Sequence, residues 1–209
     1  MSEAKCRICR RVGVKLFLKG ERCLSPKCAI VKRPYSPGQK TKRKTRNISE
    51  YAKELREKQK MKNWYNLRER QFKKYVKEVL AERGKAEDAG ELLIRGLATR
   101  LDNVIFRLGF ASSRAQAKQL ANHNHFLVNG KRVNIPSFQV KKGDVISLSE
   151  ASRKKPIFKN IQIILKKTKA PAWIELNPEK LEGKIISMPT LAEAAPPAEI
   201  HSVFEYYSR

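Results

Sequence analysis

Four cysteines are the residues of this chain whose type and spacing best suit chemistry. Cys6-x2-Cys9 and Cys23-x4-Cys28 form two close pairs separated by 13 residues, and the 209-residue chain has no other cysteine. Two close pairs can each clasp one metal ion from a tight turn, with the intervening loop closing a tetrahedron. Four thiolates suit a closed structural site, so one Zn2+ held by Cys6, Cys9, Cys23 and Cys28 is the expectation. An iron–sulfur cluster takes the same ligands and stands as the alternative. Two disulfides are disfavoured in a reducing cytosol, and four unrelated buried thiols are the plain reading. Lys5, Arg7, Arg10, Arg22 and Lys27 would offset the excess negative charge of a four-thiolate zinc centre. Such a site keeps no open coordination position, so no metal catalysis is expected of it.

The second chemistry is cationic. Lys and Arg number 46 against 20 Asp and Glu, a formal net charge of +26, which points to a polyanionic partner. Nucleic acid is the first choice and an acidic membrane surface the second. No apolar run approaches the ~18 residues that span a bilayer. The opening Met1-Ser2-Glu3-Ala4-Lys5 lacks the apolar core of a signal peptide, so a cytoplasmic protein with no membrane partner is expected. The cations are grouped. Lys32 to Arg46 holds seven of them (Lys32, Arg33, Lys40, Lys42, Arg43, Lys44, Arg46), with two prolines, a glycine and no acid. Such an arm cannot bury apolar surface by itself and suits phosphates. A second group of seven, with no acid, lies between Ala151 and Lys169.

The elements that must position these groups follow from periodicity. Asn47 with Glu50 reads as a capping box, and Ile48 to Arg83 as helical. There Phe72, Tyr75, Val76, Val79 and Leu80 keep helical spacing and read as core. Trp64 and Tyr65, among Lys60, Lys62, Arg68 and Arg70, read as packing residues rather than a base-stacking platform. Leu97, Leu101, Val104, Ile105 and Leu108 predict a helix that Gly109 stops, and Ser113 with Gln116 predicts the cap of a second. Phe126 to Val128 followed by Asn129-Gly130 predicts a hairpin with a type I′ turn, and Val145 to Leu148 a further strand. Arg100, Asn103 and Arg107 would form a polar stripe on the first helix, and Arg114 and Lys118 lie one turn apart on the second. Lys131 and Arg132 would sit at the hairpin tip. Arginine forks suit phosphate, so Arg100, Arg107, Arg114 and Lys118 are expected to face an RNA backbone, with Leu101, Ile105, Leu108 and Leu120 turned inward. A solvated helix face is the bland reading. Ile161 to Leu165 predicts a short helix, and the segments at Pro171–Ile174 and Gly183–Ile186 short strands.

These residues carry a family resemblance. Arg-Leu-Asp-Asn-x-x-x-Arg-x-Gly-Phe-Ala from Arg100, Ser-Arg-x-x-Ala-x-Gln from Ser113, His-x-His-Phe-x-Val-Asn-Gly from His123 and Ile-Pro-Ser-Phe-x-Val-x-x-Gly-Asp-x-Ile from Ile135 resemble the RNA-binding module of the S-four family of bacterial ribosomal proteins. That module also occurs in pseudouridine synthases and some tRNA synthetases. Asn124 stands where the family usually has glycine, and asparagine is the next best residue for a left-handed position. Arg33-Pro34-Tyr35-x-Pro37-Gly38-Gln39, Glu69-Arg70-Gln71-Phe72 and the aromatic terminus Val203 to Arg209 extend the likeness over nearly the whole chain. Lys40 replaces a histidine common in the family, and the alanine- and proline-rich 192–198 departs from it. The cysteines resemble the metal-binding N-terminus of part of the family.

The resemblance implies an α+β protein: a zinc knuckle and basic arm (1–46), a helical lobe (47–96) completed by 178–209, and a helix-turn-helix plus small antiparallel sheet (97–177). It implies a monomer within the small ribosomal subunit that binds the 5′ domain of 16S rRNA, nucleates assembly, neighbours ribosomal protein S-five, and affects translational accuracy near the path by which mRNA enters. RNA contacts are expected from Arg33, Lys40, Lys42, Arg43, Lys44, Arg46, Arg100, Asn103, Arg107, Ser113, Arg114, Lys118, Gln119, His123, His125, Asn129, Lys131 and Arg132. An RNA-modifying enzyme carrying the same module would need a catalytic domain of ~150 residues or more beside it, for which the chain has no room. A zinc-dependent DNA-binding regulator is weaker, because no helix carries a base-reading triplet.

Overall fold

A computed structural model describes residues 4–38, 48–82 and 88–208. The helices are α1 Lys5–Val12, α2 Glu21–Leu24, α3 Ala29–Lys32, α4 Glu50–Trp64, α5 Glu69–Ala81, α6 Ala89–Ala98, α7 Leu101–Arg107, α8 Arg114–Asn122, α9 Glu150–Arg153, α10 Ile161–Lys167, α11 Leu191–Ala194 and α12 Ile200–Ser208. The strands are β1 Phe126–Val128, β2 Lys131–Arg132, β3 Val145–Leu148, β4 Ile174–Asn177 and β5 Glu182–Ile185. They form one antiparallel sheet in the order β2-β1-β3-β5-β4.

The chain divides into two compact units, 1–90 with 196–209, and 91–195. In the first, the predicted helix over 48–83 is broken by Tyr65 to Arg68 into α4 and α5. The cap of α4 is Ser49, whose hydroxyl accepts from the Ala52 amide at 3.3 Å; Asn47 lies outside the described residues. Trp64 and Tyr65 pack as expected: Tyr65 is buried, and Trp64 meets the Phe17 ring edge-on at 6.2 Å. The C-terminal aromatics cover α4 and α5, with Tyr206 beside Tyr51 at 5.6 Å and Tyr207 beside Phe72 at 6.1 Å. One polar knot ties the three helices. Buried Lys58 donates to Glu69 at 2.9 Å and lies 4.5 Å from the Tyr206 ring, and the Tyr207 hydroxyl donates to the same carboxylate at 2.7 Å. Burial alone would raise the Glu69 pKa, but the hydrogen bonds from Lys58, Tyr207 and Lys62 lower it to about 2. Burial and the same carboxylate push the Tyr207 phenol up.

In the second unit, the apolar spacing read as one helix from Leu97 is two. Arg100 is extended and bridges Gln139, separating α6 from α7. The first amides of α7 are satisfied from outside the helix, Leu101 by the Phe138 carbonyl at 2.9 Å and Asp102 by that of Pro136 at 3.1 Å. Ser113 caps α8 by accepting from the Gln116 amide, while the Gln116 side chain bonds Ser112 instead of closing the box. The hairpin has its predicted turn, with Asn129 at φ 50° and Gly130 at φ 77° between the paired Val128 and Lys131. Asn124 is left-handed at φ 57°. Leu101, Ile105, Leu108 and Leu120 face a core shared with Phe126, Ile146, Leu165, Trp173 and Ile185. The expected assignment of 178–209 to the helical lobe is corrected here. β5 is inserted between β3 and β4, with Gly183 opposite Ile146 and Leu176, so the segment up to 195 belongs with the sheet and only 196–209 with α4 and α5.

Candidate nucleic-acid interface

The expected stripe does not face outward, because its arginines are spent on the fold. Arg100 is 1% exposed and forms a two-pronged ion pair with buried Asp102, Nε to Oδ1 at 3.1 Å and Nη2 to Oδ2 at 2.8 Å. Buried Asn103 donates to the Ala98 carbonyl at 2.8 Å, closing the end of α6, and accepts from Arg114 Nε at 2.9 Å. Arg114 is itself buried, its guanidinium 4.5 Å from the Phe106 ring. Arg107 is half-buried and donates to the Ala194 carbonyl at 2.7 Å. The Arg-Leu-Asp-Asn motif with Arg114 is therefore a buried clamp over the α6–α7–α8 junction. Arg100 precedes α7 in extended conformation, so its spacing to Asn103 and Arg107 is not helical and the expected stripe does not form.

Other predicted contacts divide in the same way. Ser113 is a buried cap. His125 is a buried core residue with its Nδ1 2.7 Å from the Ser152 hydroxyl, and burial, Lys155 and His123 push its pKa down. Asn129 is exposed, but its side chain is engaged: it donates to Asp144 at 2.8 Å and accepts from the Val145 amide at 2.9 Å, fixing the hairpin against β3. Gln119, His123, Lys131, Arg132 and Arg33 are exposed and Lys118 half-exposed. Lys40, Lys42, Arg43, Lys44 and Arg46 lie outside the described residues.

Outward cations of the second unit include Lys131 and Arg132 on the edge strand β2, Lys141 and Lys142 before β3, Arg153, Lys154, Lys155, Lys159, Lys166, Lys167 and Lys169 around α9 and α10, and Lys180 and Lys184 at β5. Lysines on an edge strand also block edge-to-edge pairing, which is their bland reading. Lys141 and Lys142 were missed; the signal was two adjacent cations ahead of Gly143, a left-handed turn residue at φ 91°.

The cysteine module holds a basin of about 760 Å³ that the sequence did not reveal. Arg10, Arg22, Lys27, Lys32 and Arg33 line it with one acid, Glu21. Arg10 is fixed there: Nε donates to the Arg33 and Tyr35 carbonyls at 3.1 and 2.9 Å, and the guanidinium lies 4.9 Å from the Tyr35 ring. The sequence hid it because the contact is not local: 23 positions separate Arg10 on α1 from Arg33, the residue after α3.

The same module carries the thiols. Cys6 and Cys9 lie on α1, Cys23 on α2, and Cys28 precedes α3. All four are free thiols, and all but Cys6 are buried. Burial raises the Cys9 pKa, a hydrogen bond from the Leu16 amide opposes this, and thiolate charge at Cys23, Cys6 or Cys28 would raise it further. The Lys19 amide donates to Cys23 Sγ at 3.3 Å. Among the described residues, however, no group of three or more His, Cys, Asp or Glu is disposed to hold a metal ion, so the expected metal-ready knuckle is not seen.

Comparison with known proteins bears on both units. Residues 1–95 match the profile of the ribosomal protein S4/S9 N-terminal domain and residues 99–146 that of the S4 domain. The chain is similar to the small ribosomal subunit protein uS4 of Solidesulfovibrio magneticus, 49% identical over 208 residues covering 100% of this chain and 98% of that one. It is likewise similar to the uS4 of Caldicellulosiruptor saccharolyticus, 50% identical with 98% and 96% covered. For the uS4 of Heliobacterium modesticaldum the identity is 48%, with 98% and 96% covered.

Proposed function

Since the chain belongs to the uS4 family of small ribosomal subunit proteins, structural proteins of the cytoplasmic ribosome and not enzymes, we propose that it binds the 5′ domain of 16S rRNA directly and nucleates small-subunit assembly. The observation that carries this reading is the basic basin of the cysteine module, five cations against one acid, next to the start of the basic arm. Phosphate contacts supply the affinity, and the shape of the RNA supplies specificity. Lys131, Arg132, Lys141 and Lys142 are the contacts assigned to the S4 domain, with Gln119, His123 and Lys118 beside them. The neighbourhood of ribosomal protein S-five and the path by which mRNA enters, with an influence on accuracy, belong to the same reading.

Titration of the full chain with a 5′-domain fragment at stepped salt tests it. Each lost phosphate contact should lower the log–log slope by roughly 0.7–0.9, so removal of 32–46 should flatten it by several units. An unchanged slope would reduce the arm to a spacer, and an unchanged slope after Arg10→Glu with Arg22→Glu and Lys27→Glu would remove the basin as the support for rRNA binding.

Zinc is part of the proposal. Cys6, Cys9, Cys23 and Cys28 would hold one ion; the support is their paired spacing in the sequence and their place on α1, α2 and the start of α3. The ion would supply a structural crosslink. Protein purified without oxidation should contain one zinc per chain, and chelation should loosen 4–38 while 91–195 stays folded. Elemental analysis showing no metal would exclude the knuckle.

A further inference from the structure

The first unit holds a second concavity, with no acid in its lining. α1 and α4 bound a groove of about 400 Å³. Its floor is aliphatic: Ile8 and Val12 from α1, Ala52 and Leu55 from α4. Residues 8, 11 and 12 share one face of α1, and 52, 55, 56 and 59 one face of α4, so helical spacing builds both walls. Arg11 and Arg56 are exposed at the rim, and no acid lines the groove. Lys62, the third cation, is held by Glu69 at 3.2 Å.

We propose that this groove receives an acidic segment of another protein, with an aliphatic or aromatic side chain inserted over Leu55 and carboxylates paired with Arg11 and Arg56. The inference rests on the ribosomal reading only for where the partner is met. The argument is charge complementarity around an apolar floor. A phosphate backbone gains nothing from four aliphatic side chains, whereas an apolar side chain flanked by carboxylates would use both them and the two exposed arginines. An apolar anchor inside a polar rim is how protein partners are held. Arginine is the cation suited to that rim, because its fork pairs with a carboxylate in two places.

The test places a photo-reactive amino acid at Gln59, on the groove wall, in the full chain incorporated into small subunits, and sequences what it captures. The expected product is a protein segment bearing Asp or Glu within a few residues of a large apolar side chain. Arg11→Glu with Arg56→Glu should cut its yield more than tenfold, while a probe at exposed Lys142 should crosslink as before. Capture of rRNA alone, or of the chain itself alone, overturns the inference, as does a protein crosslink that survives the charge reversal. Absence of the chain from subunits would instead overturn the ribosomal reading, so the two failures are distinguishable.

Discussion

Gly183→Ala is expected to be among the most damaging single-atom additions in this chain. Gly183 is buried in β5, a central strand, opposite Ile146 on one side and Leu176 on the other. A Cβ there would stand 2.2 Å from Leu108 Cδ2, 2.8 Å from Cδ1 and 3.0 Å from Cγ. Leu108, the C-cap residue of α7, has no exposed surface and is enclosed by the shared core, so it has nowhere to turn. Overpacking costs ~1–3 kcal/mol and occasionally more, and a clash with three atoms of a fully enclosed side chain belongs at the upper end. Against a total of ~5–15 kcal/mol that is a large fraction. Leu108→Ala alone should cost ~2–5 kcal/mol by leaving a cavity. The two changes should be far from additive, because the alanine at 183 moves into the space vacated at 108, with a coupling of ~0.5–3 kcal/mol. Denaturant unfolding of the four proteins in the cycle measures it. Simple additivity would show that the two residues do not share that space.

What the sequence revealed, and what it hid, follows from which interactions are local. The hairpin was legible because Asn129-Gly130 imposes its turn on two residues, and φ is positive at both. The α8 cap was legible because Ser113 and Gln116 are three apart. The inward positions Leu101, Ile105 and Leu108 were legible because their spacing lies within α7 and its C-cap, and Leu120 because it lies on the capped helix α8. The break itself was not, since the bridge from Arg100 to Gln139 spans 39 positions. The place of β5 was also hidden, because a short strand with glycine at its centre looks equally suited to an edge; only Leu108 approaching from α7 explains the glycine. Among the site residues, charge was read correctly as abundance and wrongly as direction. A buried arginine and an exposed one are the same letter, and what separates Arg100 from Lys131 is an aspartate two positions on that turns inward with it.

That distinction yields the largest expected effect at the candidate interface. Asp102→Ala should destabilise the chain by ~3–5 kcal/mol, because it leaves the Arg100 guanidinium in the interior without its carboxylate. Arg100→Ala should act in the same direction by stranding the carboxylate. Arg114→Ala should also weaken the fold, removing the donor to Asn103 and the cation over the Phe106 ring. Replacing Arg100 and Asp102 together with leucine and methionine should recover much of the loss, since a buried pair exchanged for apolar side chains of similar volume is often neutral. None of these changes should alter RNA affinity once it is expressed per folded molecule. Lys131→Glu with Arg132→Glu should do the reverse, leaving the melting temperature within a few degrees and lowering RNA affinity at least tenfold, with a shallower salt slope. Melting curves and titrations with the same 5′-domain fragment, corrected for the fraction folded, separate the two sets. A stable Asp102→Ala protein that binds RNA tenfold more weakly would mean that Arg100 reaches the RNA after all, and that the clamp is part of the interface.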